Sequence, residues 1–249
     1  MGDFLFGIKA YKNPEYKINK PIRLIELFGG VGSQSMAMRN IGANYESYRL
    51  VEFDEKAKNS FNAIHGTNFP ALDIRNVHAE DLGIVEKDKY EYIMFYSFPC
   101  QALSLAGKRK GMKRDSGTTS SLLWEVQRLI DECEEGNCLP QILIMENVSQ
   151  VHNDHNIDDF NTWINYLKEK GYSNFYKDLN SKDFNLGQNR VRCFMVSILG
   201  NWDFQFPNKI PLTKTIDDYL EKGPIDEKYY LSKETTNKMV KNLKTRGYL

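Results

Sequence analysis

The sequence has no excess charge of either sign: 33 lysines and arginines offset 33 aspartates and glutamates. A global basic field that draws in nucleic acid is therefore excluded, and any such affinity must come from local patches. Cysteine is scarce. Cys100, Cys133, Cys138 and Cys193 give no disulfide framework, and Cys133 with Cys138, lacking partnering ligands, makes a poor zinc site. His152 and His155 could ligate a metal but read better as residues of an exposed loop, so no metal is expected. No apolar run approaches the roughly 18 residues of a membrane span. The start, Met1-Gly2-Asp3-Phe4, is no signal peptide, which leads us to expect a cytoplasmic protein. Internal repeats and low-complexity tracts are absent as well. What remains, with 41% hydrophobic residues in 249, is enough for one large α/β domain with a well-buried core.

The most informative stretch is Tyr96-Ser97-Phe98-Pro99-Cys100-Gln101-Ala102-Leu103-Ser104. It follows Tyr92-Ile93-Met94-Phe95-Tyr96, which reads as a buried parallel strand, and ligands of open α/β sheets bind beyond the carboxyl ends of such strands. A cysteine in that place is more often a small buried hydrophobe than a nucleophile. Its company shifts the balance. A second apolar strand, Gln141 to Met145, ends in Glu146-Asn147-Val148, so a carboxylate is aimed at the same rim. A third segment, Gln188-Asn189-Arg190-Val191-Arg192, precedes a further strand, and in extended backbone Gln188, Arg190 and Arg192 share one face. Arginines so placed can grip a carboxylate, a phosphate or a base oxygen, although each piece alone is equally well a strand-end ion pair.

Upstream, the strand Ile22 to Leu27 runs into Phe28-Gly29-Gly30-Val31-Gly32-Ser33 and then an amphipathic helix carrying Met36, Met38 and Ile41. About 20 residues further on, a second strand ends in Glu52, where a carboxylate can accept hydrogen bonds from both ribose hydroxyls. Phe53 beside it can stack on an adenine. The dinucleotide fingerprint wants a third glycine that Gly30-Val31-Gly32-Ser33-Gln34-Ser35 lacks, so a nicotinamide cofactor is disfavoured and a nucleoside site is expected.

These segments together resemble the cytosine-C5 DNA methyltransferases, particularly the compact bacterial and phage type. Leu27 to Ser33 is similar to that family's S-adenosylmethionine loop, Phe98-Pro99-Cys100-Gln101 to its Pro-Cys loop, Glu146-Asn147-Val148 to its Glu-Asn-Val motif, and Gln188 to Arg192 to its Gln-x-Arg-x-Arg motif. The resemblance runs in the family's order from about Pro21 to about Pro207. It implies a cofactor site of Phe28 against the adenine, the loop Gly30, Val31, Gly32 and Ser33, Glu52 on the ribose, Phe53 flanking the ring, Asp73 with Ile74 at the adenine edge, and Leu122. It also implies Cys100 as nucleophile, held by Pro99, with Glu146, Arg190 and Arg192 around the base. The expected location becomes the cytoplasm of a bacterium or phage-infected host.

The chemistry requires such a set. Cytosine C5 is a weak nucleophile, and a thiolate adding at C6 turns the ring into an enamine with electron density at C5. Glu146, protonated or sharing a proton, can then stabilise charge developing at N3. The target base must leave the duplex to reach a buried thiol. Just past the cysteine, Gly107 to Arg114 carries five positive charges, Lys108, Arg109, Lys110, Lys113 and Arg114, between glycine pivots. On composition it is a solvated loop; beside a nucleophile it reads, with Gln101 and Ser104, as a DNA-contacting loop that closes over the backbone.

Alternation of patterns predicts a doubly wound, mostly parallel sheet with helices on both faces. Strands are expected at 22–27, 47–52, 69–72, 91–97, 141–146, 175–180 and 192–199, with helices at 33–41, 54–64, 119–133 and 158–170. Gly171 closes the last of these helices. Asp131-Glu132-Cys133-Glu134-Glu135 reads as an acidic turn facing away from phosphate. Residues 1–20 form a lead-in, 21–207 the catalytic and cofactor-binding domain, and 208–249 a lysine-rich extension. The resemblance also implies a target-recognition domain and a final Gly-Asn-Ser motif, neither of which is found. The expected protein is therefore the catalytic part of a split or truncated enzyme, with duplex DNA and a complementing polypeptide as partners. An RNA-directed relative and a non-catalytic cofactor- or DNA-binding protein stay open as alternatives.

Overall fold

The computed structural model describes residues 13–100 and 119–247. The chain runs through β1 (Ile22–Leu27), α1 (Ser33–Asn40), β2 (Tyr45–Val51), α2 (Glu55–His65), α3 (Ala79–Leu82), β3 (Glu91–Tyr96), α4 (Leu123–Glu135), β4 (Ile142–Asn147), α5 (Ile157–Glu169), β5 (Tyr172–Asn180), β6 (Val191–Leu199) and α6 (Lys233–Thr245). The strands form a six-stranded sheet in the order β2-β1-β3-β4-β6-β5. β1 to β4 are parallel neighbours, while β6 runs antiparallel to both β4 and β5. This is the mostly parallel, Rossmann-like arrangement that the alternating patterns predict. Because β6 runs backwards, its amino end lies at the same edge as the carboxyl ends of β1, β3 and β4. That is why Arg190 and Arg192 stand at the start of their strand, whereas Glu146 stands at the end of β4 and Glu52 and Cys100 follow theirs.

The strands are apolar on both faces, as buried parallel strands must be. Ile25, Leu27, Met94, Tyr96, Leu143, Met145 and Met195 enter one core, which α4 and α5 cover with Val126, Leu129, Phe160, Trp163 and Leu167. Ile22, Leu24, Ile93, Ile142, Val196 and Ile198 enter a second core on the other face. Trp163 is fully buried, and its indole Nε1–H donates to the Tyr96 hydroxyl at 3.0 Å. Tyr96→Phe leaves that donor unmet in the core. We expect a loss of about 1–3 kcal/mol, read by denaturant unfolding; unchanged stability would mean that Trp163 finds another acceptor.

Four expectations are corrected. Residues 69–72 form no strand: Asn62 takes both the N–H and the carbonyl of Phe69, the Leu72 N–H donates to the Glu52 carbonyl, and Pro70 has no N–H to give. A short 3₁₀ turn, Ile74–Asn76, follows instead, capped by the Asp73 side chain. Asp131 to Glu135 are the last turns of α4 rather than a turn of their own, and Lys170 pairs with Asp131 at 2.7 Å and with Glu134 at 2.5 Å. Ile41 lies just past α1 and is 76% exposed, whereas Ser35 is that helix's buried residue. The predicted helix at 119–133 begins with a 3₁₀ turn, Thr119–Leu122, before α4. Gly171, at φ +88°, follows the end of α5 as expected.

Candidate functional site

The glycine loop leaves β1 in a turn that few residues can make. Phe28 has φ +57°, a left-handed conformation unusual for a non-glycine residue, and its N–H is held by the Val51 carbonyl at 2.7 Å. Gly32, at φ +83°, lies so close to α2 that a Cβ would meet His65 Nε2 at 2.3 Å and Phe61 at 2.7 Å. Below the loop, the fully buried Glu26 accepts from Ser35 Oγ at 2.5 Å and from the Ser35 N–H at 3.2 Å, fixing the first turn of α1. Its burial raises the carboxyl above its usual range.

Glu52 stands one residue beyond β2. Its two oxygens accept from the Gly30 N–H at 3.0 Å and the Asp54 N–H at 2.8 Å, so backbone donors on either side fix the carboxylate. A cavity of about 610 Å³ opens in front of it, lined by Phe28, Glu52, Phe53, Asp73, Ile74 and Leu122 among others. Six residues that the family resemblance places in a cofactor site thus meet around one space. Phe53 is 72% exposed at its edge, a ring free to cover a planar ligand. Asp73 is bonded to Arg75 through both side chain and backbone, which holds its carboxyl below the usual range. Of the loop, Gly30 has open space where a Cβ would stand, while Val31 and Ser33 are exposed. A fixed carboxylate, an open glycine and an apolar slot suit an adenosine moiety, so the residues present fit S-adenosylmethionine.

Pro99 also lines this cavity, which puts the segment before Cys100 at its wall. That segment is held from two sides. Asn147 Nδ2–H donates to the Phe98 carbonyl at 3.0 Å, and Ser120 Oγ–H donates to the Pro99 carbonyl at 2.7 Å. Asn147 and Ser120 are both buried, and sequence reasoning gave neither a role of its own, because their contribution is made through a backbone carbonyl. Asn147 does lie within the Glu-Asn-Val stretch, and that was the available signal. Cys100 itself is partly buried against the core.

Glu146 lies beside Asn147 on β4 and pairs with Phe194 across the ladder, which brings the start of β6 to it. Arg192 Nε is 3.2 Å and Arg190 Nη2 3.9 Å from Glu146 Oε1. The expected carboxylate–arginine cluster therefore forms. Gln188 does not join it by any contact seen; it is exposed, and its carbonyl accepts from Ser181 Oγ at 2.6 Å. Only Arg192 lies within the strand, so the alternation expected from 188 onward holds for part of that segment. Gln101, Ser104, Lys108, Arg109, Lys110, Lys113 and Arg114 lie outside the described residues.

His152 departs from the exposed-loop expectation. It ends a 3₁₀ turn, Ser149–His152, and its Nε2 lies 2.9 Å from Asp178 Oδ1. Among the described residues, no helix is long and apolar enough to cross a membrane.

Comparison with known proteins bears on the fold and the family. Among solved structures, the Dnmt2 methyltransferase of S. pombe superposes with a TM-score of 0.66 at 20% identity, over 88% of this chain and 65% of that one, a likeness of fold. The Type II methyltransferase M2.ScrFI of Lactococcus lactis subsp. cremoris is 33% identical over 84% of this chain and 70% of its own length. The orphan methyltransferase M.SssI of Spiroplasma monobiae is 31% identical over 82% of this chain and 66% of its own. The orphan methyltransferase M.SPRI of Bacillus phage SPR is 30% identical over 90% of this chain and 55% of its own. The chain thus spans between about half and 70% of the length of these relatives. The profile of the C-5 cytosine-specific DNA methylases matches residues 22–248. With that match across nearly the whole chain, and with the motifs gathered at one sheet edge, this protein belongs to the C-5 cytosine-specific DNA methylase family, enzymes that depend on S-adenosylmethionine.

Proposed function

We propose that this chain carries the catalytic machinery for methylating C5 of cytosine in duplex DNA, through a covalent bond between Cys100 Sγ and C6 of the base. One observation carries the reading. The segment leading to Cys100 is hydrogen-bonded to Asn147, the neighbour of Glu146, and Glu146 is held by Arg192 and Arg190 at the edge where the cofactor cavity opens.

In this reading the Cys100 thiolate donates its electron pair to C6, and the C5–C6 π pair moves to C5. Glu146 supplies a proton or hydrogen bond to N3 as charge develops there. Arg192 fixes the carboxylate, and Arg190, the more exposed of the two, faces the base oxygen or a nearby phosphate. Pro99 and the two bonds to the backbone carbonyls hold the thiol toward C6. S-adenosylmethionine, when bound, supplies an electrophilic methyl group at C5. A base or ordered water then removes the C5 proton, the C5–H pair restores the C5–C6 double bond, and the C6–S pair returns to Cys100. Gln101, Ser104 and the basic residues 108–114 contact the DNA backbone while the base is out of the stack.

Phe28, Glu52, Phe53, Asp73, Ile74 and Leu122 hold the cofactor, with the ribose hydroxyls on Glu52. Glu52→Ala removes those bonds and the anchor of the Gly30 N–H. We expect S-adenosylmethionine affinity to fall roughly 10- to 100-fold by calorimetry, while a nicotinamide dinucleotide gives no heat with either protein. An unchanged dissociation constant would remove Glu52 from the cofactor site.

We further infer that target reading is supplied by polypeptide outside these 249 residues. Two facts support it: the relatives are longer than the stretch matched here, and described residues 208–247 are all exposed, Ile216, Leu220, Leu231 and Met239 among them. The isolated chain should bind DNA weakly, with strong salt dependence and little sequence preference. Robust site-specific methylation by the purified chain alone would contradict this.

A further inference from the structure

Three side chains from three different elements converge near the carboxylate rim. Asp178 on β5 and Cys193 on β6 are directly paired across the antiparallel ladder, so their side chains share a face of the sheet. His152 reaches them from the 3₁₀ turn that follows Glu146-Asn147-Val148. One imidazole nitrogen of His152, a carboxylate oxygen of Asp178 and the Cys193 sulfur all lie within 4.8 Å of one another. The His152 ring is held by Phe160 and Tyr176, with centroids at 5.9 and 5.7 Å. Cys193 is fully buried, whereas the side chains of His152 and Asp178 are 27% and 35% exposed. One side of the triad is therefore apolar and closed, and the other faces water.

We propose that His152, Asp178 and Cys193 form a binding site for a divalent transition metal, with zinc as the ion that fits the donors best. One imidazole nitrogen, one carboxylate oxygen and one thiolate are three ligands of a tetrahedral site, and the solvent-facing side admits water as the fourth. Calcium and magnesium want oxygen donors only, which a buried cysteine does not provide. Metal–donor bonds of about 2.0–2.3 Å need only small side-chain shifts from separations already below 4.8 Å. Ligation takes the Cys193 sulfur as its thiolate, so binding releases the thiol proton to solvent. A dication with one thiolate, one carboxylate and a neutral imidazole has no net charge, which suits a half-buried position. The ion would tie the turn after Val148 to β5 and β6, on the face of β6 opposite Arg192, and so brace the strand that carries that arginine without touching the rim. This site is independent of the proposed reaction, and its test needs no activity.

The chelator-treated protein is titrated with cobalt(II) and then with zinc. One equivalent of cobalt should give the visible bands of a tetrahedral ion and a near-ultraviolet thiolate-to-cobalt band, both lost when zinc displaces it. Cys193→Val should abolish the thiolate band. His152→Ala should lower affinity by roughly a hundredfold or more, and zinc should raise Tm of the parent protein but not of this variant. Cys100→Ser and Cys133→Ser should keep the band. The proposal is overturned if the parent protein gives no thiolate band, if the band survives Cys193→Val, or if it vanishes with Cys100→Ser or Cys133→Ser. Should Cys193→Val fail to fold, the His152→Ala titration decides: affinity equal to the parent's overturns the site.

Discussion

Cys100→Ala is expected to lower methyl transfer on the order of 10⁴-fold or more, while S-adenosylmethionine still binds. The size of the effect follows from the chemistry: without addition at C6, C5 lacks the electron density to accept the methyl group. No other described thiol can substitute. Cys133 and Cys193 are fully buried, and burial raises both well above the ordinary thiol range. Cys138 lies in the connection after α4, at the amino end of β4, away from the rim that Asn147 and Pro99 define. The substitution removes one partly buried sulfur and none of the hydrogen bonds that hold the Phe98 and Pro99 carbonyls. Cofactor binding therefore serves as the folding control. Single-turnover methyl incorporation into duplex DNA, with the target-reading polypeptide supplied, measures the loss; a rate within tenfold of the parent's would remove Cys100 from the reaction.

The second large effect is expected at Glu146. Glu146→Gln keeps the side chain's size but not its ability to share a proton, and the chemical step should slow by about 10²-fold or more. Arg192 contacts the same carboxylate oxygen that the farther Arg190 approaches, so removing the arginine should matter mainly through the carboxylate. The losses in Arg192→Ala and Glu146→Gln should accordingly be less than additive when combined. Arg192→Lys should rescue little, because the 3.2 Å contact is made by Nε within a planar guanidinium. DNA binding by Glu146→Gln should match that of the parent. Fully additive losses, or unchanged single-turnover rates, would make the pair a structural ion pair only.

Which parts of this site the sequence reveals follows from where each residue stands. Glu52 and Cys100 follow, and Glu146 ends, apolar strands of obvious pattern, and a parallel sheet delivers strand ends to one edge, so their convergence could be read in advance. The arginine pair was legible too, although its placement depends on β6 being antiparallel, which periodicity alone does not specify. The supposed strand at 69–72 failed because its backbone groups are taken by the Asn62 side chain and the Glu52 main-chain carbonyl, local competitors of a ladder that pattern cannot show. Asn147 and Ser120 were missed for a similar reason: each acts on a main-chain carbonyl distant in sequence. His152 looked like loop because its partners, Asp178 and Cys193, come from strands 26 and 41 residues away, one of them paired with the other only once β5 and β6 align.

The most direct test of the account is a covalent trap. DNA carrying 5-fluorocytosine at its target position cannot lose a C5 proton, so a Cys100–C6 bond that forms is held after methyl transfer. The protein is incubated with this DNA, S-adenosylmethionine and the complementing polypeptide, then digested, and the adduct is located by mass spectrometry. The account predicts one denaturation-resistant adduct, on the peptide containing Phe98-Pro99-Cys100 and at the Cys100 sulfur, absent from Cys100→Ala. An adduct at any other residue, or methylated product without any trapped protein, would contradict it.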